Sequence, residues 1–105
     1  MNTVVKNWQI VTVFNKNEEL GNVLFGTVVS DSTYRYVEND YVCSSAITHF
    51  NTDTNIIKTK TGSIYQLLGE GIGSEVQFND FEKLRSGLSP QEINFIHERD
   101  NVYYH

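Results

Sequence analysis

A chain of 105 residues with 39% hydrophobic and 20% charged side chains, six Tyr, six Phe and one Trp is too apolar and aromatic for a disordered segment, and its length is that of one domain with one core. Thirteen acidic against eight basic side chains give a formal charge of −5 with no Lys/Arg run, which argues against nucleic acid, since basic clusters supply most of that affinity. The single cysteine, Cys43, excludes an internal disulfide and a Cys-x-x-Cys zinc frame, and no apolar stretch approaches the ~18 residues of a membrane span.

The opening "MNTVVKNWQIVTVF" lacks the basic head, apolar run and small-residue cleavage site of a signal peptide, so a soluble, cytoplasmic protein is expected. Within it, Trp8–Asn15 reads as a largely buried strand: Trp8, Ile10, Thr12 and Phe14 alternate with Gln9, Val11 and Val13. The polar "KNEELGN" ends in Gly21-Asn22, which is hairpin chemistry, and Val23–Ser30 is the returning strand. Gly26 in its middle predicts a bulge or a close backbone approach.

"DSTYRYVEND" is a polar connection with two tyrosines, and Tyr41–Phe50 is a third strand segment. Its broken alternation predicts a kink near Ser44-Ser45. "NTDTN" (51–55) is a turn by composition, because Asn, Asp and Thr side chains satisfy local backbone groups.

In "IIKTKTGSIYQLLGEGIG" (56–73) a three-residue connection Lys60-Thr61-Gly62 pairs Thr59 with Ser63 and Ile57 with Tyr65. Ile57, Tyr65 and Leu67 then share one face, with Lys58, Lys60, Ile64, Gln66 and Leu68 on the other; slipping the turn by one residue exchanges the faces. A small, locally basic face forms around Lys58 and Lys60. Gly69, Gly71 and Gly73 give G-x-G-x-G without the spacing of a dinucleotide or P-loop motif, and Glu70 and Glu75 repel phosphate. The glycines read as sheet punctuation and the segment as a strand-to-helix connector.

The period then changes. Asn79 or Asp80 as N-cap, Phe81 and Leu84 three apart and Gly87 as a stop predict a short helix over about 79–86. Ser89, Pro90 and Glu92 form a capping box opening a helix over about 90–99, with Ile93 and Ile96, flanked by Phe95 and His97, on its apolar side. The final "NVYYH" reads as a terminal strand or a sticky tail.

Catalytic frames are sparse. Cys43 sits in an apolar strand with nothing adjacent in sequence to lower its pKa, so it reads as structural; a Cys43–His49 pair is the one thiol-based enzyme candidate. His49, His97 and His105 lack metal-ligand spacing, and no metal or other cofactor is expected. Ser44, Ser45 and Ser63 have no G-x-S-x-G frame, and Asp31, Glu38 and Asp40 read as solvated loop acids.

Tyr34, Tyr36 and Tyr41 lie in or beside the polar loop, and Tyr103 and Tyr104 near the end. Tyrosine offers large rigid area with a hydrogen-bonding tip and is enriched at interface hot spots. The leading expectation is therefore a non-enzymatic protein-interaction module, an accessory regulator or inhibitor, binding a protein partner through these three tyrosines and an acidic helix surface. Partners exclude nucleic acid and membrane, and include a second copy in a homodimer. The alternative is a small-ligand binder with a pocket between sheet and helices lined by Trp8, Tyr65, Phe78 and Phe81.

"YVCSSAI" and "IKTKTGSIYQLLG" resemble small bacterial and bacteriophage-type proteins of unassigned activity, in which a V-x-T-S-x-I strand precedes T-R/K-S/T-G-S-x-Y-x-L-G. The positions that carry the resemblance are Val42, Ser44 and Ile47, then Thr59, Lys60, Thr61, Gly62, Ser63, Tyr65, Leu67 and Gly69, spanning about a quarter of the chain, with Ser44 in place of the usual threonine and Gly69 one residue beyond the pattern's glycine. The resemblance implies a β-rich unit carried by mobile or accessory DNA and supplies no catalytic residue. The expected fold is a single α+β domain over 1–105: a bent antiparallel sheet or small barrel of about five strands, about 8–68, followed by two short helices.

Overall fold

One long hairpin sets the frame of the molecule. In the computed structural model, which describes residues 2–103 and side chains through residue 99, β1 (Thr3–Asn15) and β2 (Glu18–Asp31) pair antiparallel along their whole length. Fourteen residues in β2 at about 3.3 Å each explain an elongated body of 50 × 28 × 23 Å. Both strands are longer than the sequence reading gave. The turn is Lys16-Asn17, with Lys16 at φ 58°, and not Gly21-Asn22, which lie inside β2. Val13 pairs with Gly21 and Phe14 with Glu19, so Leu20 is the extra residue of an irregularity in the ladder beside the glycine.

The sheet has seven strands in the order β3-β2-β1-β6-β5-β4, with β7 also on β1. β3 (Tyr41–Cys43), β4 (Ile47–Asn51), β5 (Ile56–Thr59) and β6 (Ile64–Leu67) are short, and β7 is Ile72–Gln77. The expected five antiparallel strands are corrected on two counts. Residues 72–77, read as a connector, form a strand, and both β6 and β7 run parallel to β1. The sheet is open, not a closed barrel. Parallel pairing needs a distant return of the chain, which local alternation does not encode.

Between Lys6 and Gln9, β1 carries one residue more than the facing stretch of β2, a bulge marked by Asn7 at φ 50°. Such an insertion exchanges the two faces of a strand. Val5 before it and Ile10 after it therefore serve one core, while Val11 and Val13 turn to another. Gly26 lies opposite: a Cβ there would fall 2.5 Å from Val5 Cγ1, so the close approach expected from sequence is present. Gly71 does the same for Trp8, whose ring would lie 2.2 Å from an added Cβ and whose Nε1 donates to the Gly69 carbonyl. The glycine run thus passes the chain around the indole from β6 to β7.

The β5–β6 register is the one the three-residue turn requires. Ile57 faces Tyr65, the Thr59 N–H donates to the Ser63 carbonyl, and Gly62 has φ 88°. Ile57, Tyr65 and Leu67 are buried with Val5, Leu24, Val28 and Val42 in the first core. The strand segment at Tyr41–Phe50 breaks at Ser44–Ala46, where Ser44 Oγ accepts the Leu24 N–H and donates to the Ser45 carbonyl.

Helices cover the other face. A 3-10 turn (Phe78–Asp80) leads into α1 (Phe81–Arg85), shorter than expected, and α2 runs Pro90–Tyr103, longer than expected. The α2 capping box is formed by Glu92 N–H to Ser89 Oγ and Ser89 N–H to Glu92 Oε1, both 3.1 Å. Leu84 and Ile93 complete the second core with Val11, Val13, Val23, Phe25 and Val76. Asn101–Tyr103, read as a strand or tail, continue α2; Tyr104 and His105 lie outside the described residues. Among the described residues no helix is long and apolar enough to cross a membrane.

Candidate functional site

The loop from Asp31 to Asp40 connects β2 to β3, and one carboxylate organises it. Asp31 Oδ1 accepts from Thr3 Oγ1 at 2.9 Å and from the Thr33 N–H and hydroxyl; Oδ2 accepts the Arg35 and Tyr36 N–H groups, both at 2.8 Å. Burial works to raise the Asp31 pKa, but these donors outweigh it and hold the carboxyl well below the usual carboxylate range. Asp40 Oδ2 likewise accepts the Val37 N–H, so both acids are structural ties of the loop. Glu38 is exposed.

On this frame the three expected tyrosines have three fates. Tyr34 is 92% exposed with φ 63°, a left-handed conformation that is unfavourable for a residue with a Cβ. Tyr36 packs against the first core beneath the Arg35 guanidinium, 5.3 Å from its ring centroid, and its hydroxyl is pushed up to about 12 by burial and then by Tyr65. Tyr41 stacks on Phe25, and its hydroxyl donates to the Arg85 carbonyl at 2.6 Å, tying β3 to the end of α1. The exposed apolar surface here is Tyr34 with Val37, which is 69% exposed, and part of Tyr41, which is 44% exposed, while Tyr36 is turned toward the core. Val37 and the organising Asp31 were missed in the sequence, although Asp followed two residues on by Thr is the pattern of an Asx turn.

The aromatics named for a ligand pocket do not converge. Tyr65 is buried in the first core, and Trp8 packs against that core, edge-on to Phe50 at 6.1 Å. Phe78 and Phe81 stack on each other at 6.4 Å and line an apolar cleft of about 290 Å³ with Val13, Leu20 and Val23. The four residues divide because the sheet stands between them.

Cys43 and His49 line different clefts. Burial pushes the Cys43 thiol up to about 11 against a partly opposing Arg85 charge, so it is protonated at neutral pH. Ser63 Oγ accepts from Arg35, and Ser45 Oγ lies 3.0 Å from Thr61 Oγ1. His97 Nε2 lies 2.8 Å from Asp80 Oδ2, and Lys83 Nζ lies 3.0 Å from Asp80 Oδ1. Asp80 is 6% exposed; burial raises its pKa, but the His97 and Lys83 contacts lower it further than burial raises it. It stands at the N-terminus of α1 without a side-chain cap bond, because its oxygens clamp α2 and α1 instead. Among the described residues no three His, Cys, Asp or Glu side chains come together as metal ligands.

No curated protein and no solved structure matches the chain. A family model does, over residues 1–83, which takes in all seven strands, the Asp31 loop and the start of α1. The chain belongs to the family described as Domain of unknown function (DUF6957).

Proposed function

We propose that this protein is a non-enzymatic protein-interaction module, a regulator or inhibitor that docks through the Asp31–Asp40 loop. The observation that carries the reading is the presentation of Tyr34. Its ring is almost wholly in solvent on a backbone held at positive φ, and the hydrogen bonds to Asp31 fix that backbone on both sides of it. An unfavourable conformation held by its surroundings concentrates at functional positions. A rigid aromatic also loses little conformational entropy on docking. Val37 extends the apolar contact, and Tyr36 and Tyr41 anchor the loop from below.

The test is a quantitative pull-down from nuclease-treated host lysate, comparing the wild type with Tyr34→Ala and with Tyr34→Ala/Val37→Ser. One protein retained by the wild type and lost by both folded variants supports the reading, and equal recovery by all three overturns it. A second reading rests on the Phe78–Phe81 cleft, whose lining is nearly all apolar. A small apolar ligand held there stabilises the fold, and Phe81→Ser abolishes the stabilisation.

A further inference from the structure

Three strands stand at the margins of the sheet, each paired on one side only. β3 has three residues and is tied to α1 through Tyr41, and β4 has five with a register break between Ile47 and His49. β7 has six and runs beside β1 from Ile72 to Gln77 without a break. Shortness, bulges, prolines, charges and covering elements keep an edge strand from recruiting another strand. On β7 the only charge is Glu75, and the cover is incomplete.

The face of β7 that carries Ser74 and Val76 is turned to α2: Ser74 Oγ and Gln91 Nε2 both donate to Gln9 Oε1, and Val76 is buried with Ile93. Between strand and helix runs a cleft of about 440 Å³, lined by Ser74, Glu75, Val76 and Gln77 and, across from them, Ile93 and Asn94. Consecutive strand residues point to opposite faces, so a cleft that touches four in a row lies along the edge of the strand. Every second residue of a strand turns its N–H and C=O away from the neighbour. Apart from the β1 ladder, no hydrogen bond engages a main-chain group of residues 72–76 among the described residues. Asp80, also at this cleft, is compensated by Lys83 and His97, whereas Glu75 is exposed and has no ion-pair partner among the described residues.

We infer that the β7 edge, apart from the Tyr34 loop and independent of its role, takes an extended basic segment of a protein partner as an added strand beside α2. Main-chain pairing supplies the affinity, and alternate side chains supply the specificity. Side chains on the α2 face of the added strand are small or apolar, because Val76 and Ile93 form the wall there. Those on the opposite face stand beside Glu75 and are Lys or Arg, since opposite charges on neighbouring strands attract. A second copy of this chain, with a net charge of −5 and its own Glu75, would set like charge against like at the same edge.

The test is a titration of the full chain with a capped hexapeptide of alternating valine and lysine, read by amide chemical shifts. Two further probes are the valine–glutamate counterpart and the valine–lysine peptide methylated at every backbone nitrogen, which cannot donate to a neighbouring strand. The expected result is saturable shifts at residues 72–77 and at Ile93, Asn94 and His97, about tenfold weaker with either further probe. Glu75→Gln weakens binding about threefold, as for an exposed charge pair. Glu75→Lys makes the glutamate peptide the tighter binder, and Glu18→Gln, beside the β1–β2 turn, changes nothing. Glu75 and Glu18 are both exposed, so the variants keep the fold. Absence of shifts up to about 1 mM, an affinity too weak for recognition, overturns the inference, as do shifts that spare residues 72–77. Equal binding of the methylated peptide overturns the strand pairing, and equal binding of the glutamate peptide overturns the basic partner. Shifts of the same residues with protein concentration alone also overturn it and assign the edge to a second copy.

Discussion

The two cores on either side of the β1–β2 hairpin are built differently. The first is made by strands alone, with Val5, Leu24, Val28 and Val42 from β1–β3 and Ile57, Tyr65 and Leu67 from β5 and β6. The second is closed by helices, which contribute two fully buried side chains, Leu84 and Ile93. Strand residues fill the first, whereas the second joins Val11, Val13, Val23, Phe25 and Val76 of the sheet to two helix side chains and is tied further by the Asp80 contacts to Lys83 and His97. The lesson is that the sheet specifies its own fold and the helices are fastened to it at discrete points. The family match, which ends at residue 83, covers the whole first core and stops before Leu84 and Ile93.

The largest expected effect breaks the first core. Ile57→Ala should destabilise by about 2–5 kcal/mol, as for buried large-to-small changes, and urea unfolding should show one transition by both Trp8 fluorescence and far-ultraviolet circular dichroism. Ile93→Ala, in the second core, should separate the two signals, helix being lost before the Trp8 environment changes. Coincident transitions in that variant would make the two cores one cooperative unit. Gly26→Ala comes next: its Cβ meets Val5 at 2.5 Å, and overpacking of this kind costs about 1–3 kcal/mol.

Smaller effects sharpen the comparison at its fastenings. The Asp80 pKa is lowered in the folded chain, so the unfolded state binds the proton first. The stabilisation from Asp80 is fully present above the ordinary aspartate value of 3.8 and is lost as pH falls through its lower folded value. Asp80→Asn should therefore lower stability at neutral pH by roughly 0.5–1 kcal/mol, because both partners are about half exposed. It should also flatten the acid limb of a stability-versus-pH curve. An unchanged acid limb would assign acid sensitivity to Asp31, whose pKa is lowered in the same direction.

The tyrosines close the series. Tyr36→Ala should destabilise by about 1–2 kcal/mol through lost packing on the first core, whereas Tyr34→Ala should stay within about 0.5 kcal/mol of the wild type by thermal unfolding. Equal losses would return Tyr34 to a structural role.

Local chemistry was legible wherever neighbouring residues decide it. The sequence by itself determined the Lys60–Gly62 turn with its register, the Asn51–Asn55 turn, the Gly26 approach and the Ser89/Glu92 capping box. Each rests on a side chain meeting backbone within a few residues, or on a glycine where no Cβ fits. Only the tertiary structure decided that β6 and β7 lie parallel beside β1, that a bulge at Asn7 gives that strand two cores, and that Tyr34 stands in solvent while Tyr36 does not. Those outcomes depend on contacts between residues tens of positions apart, where alternation reports that a face is buried without reporting what buries it.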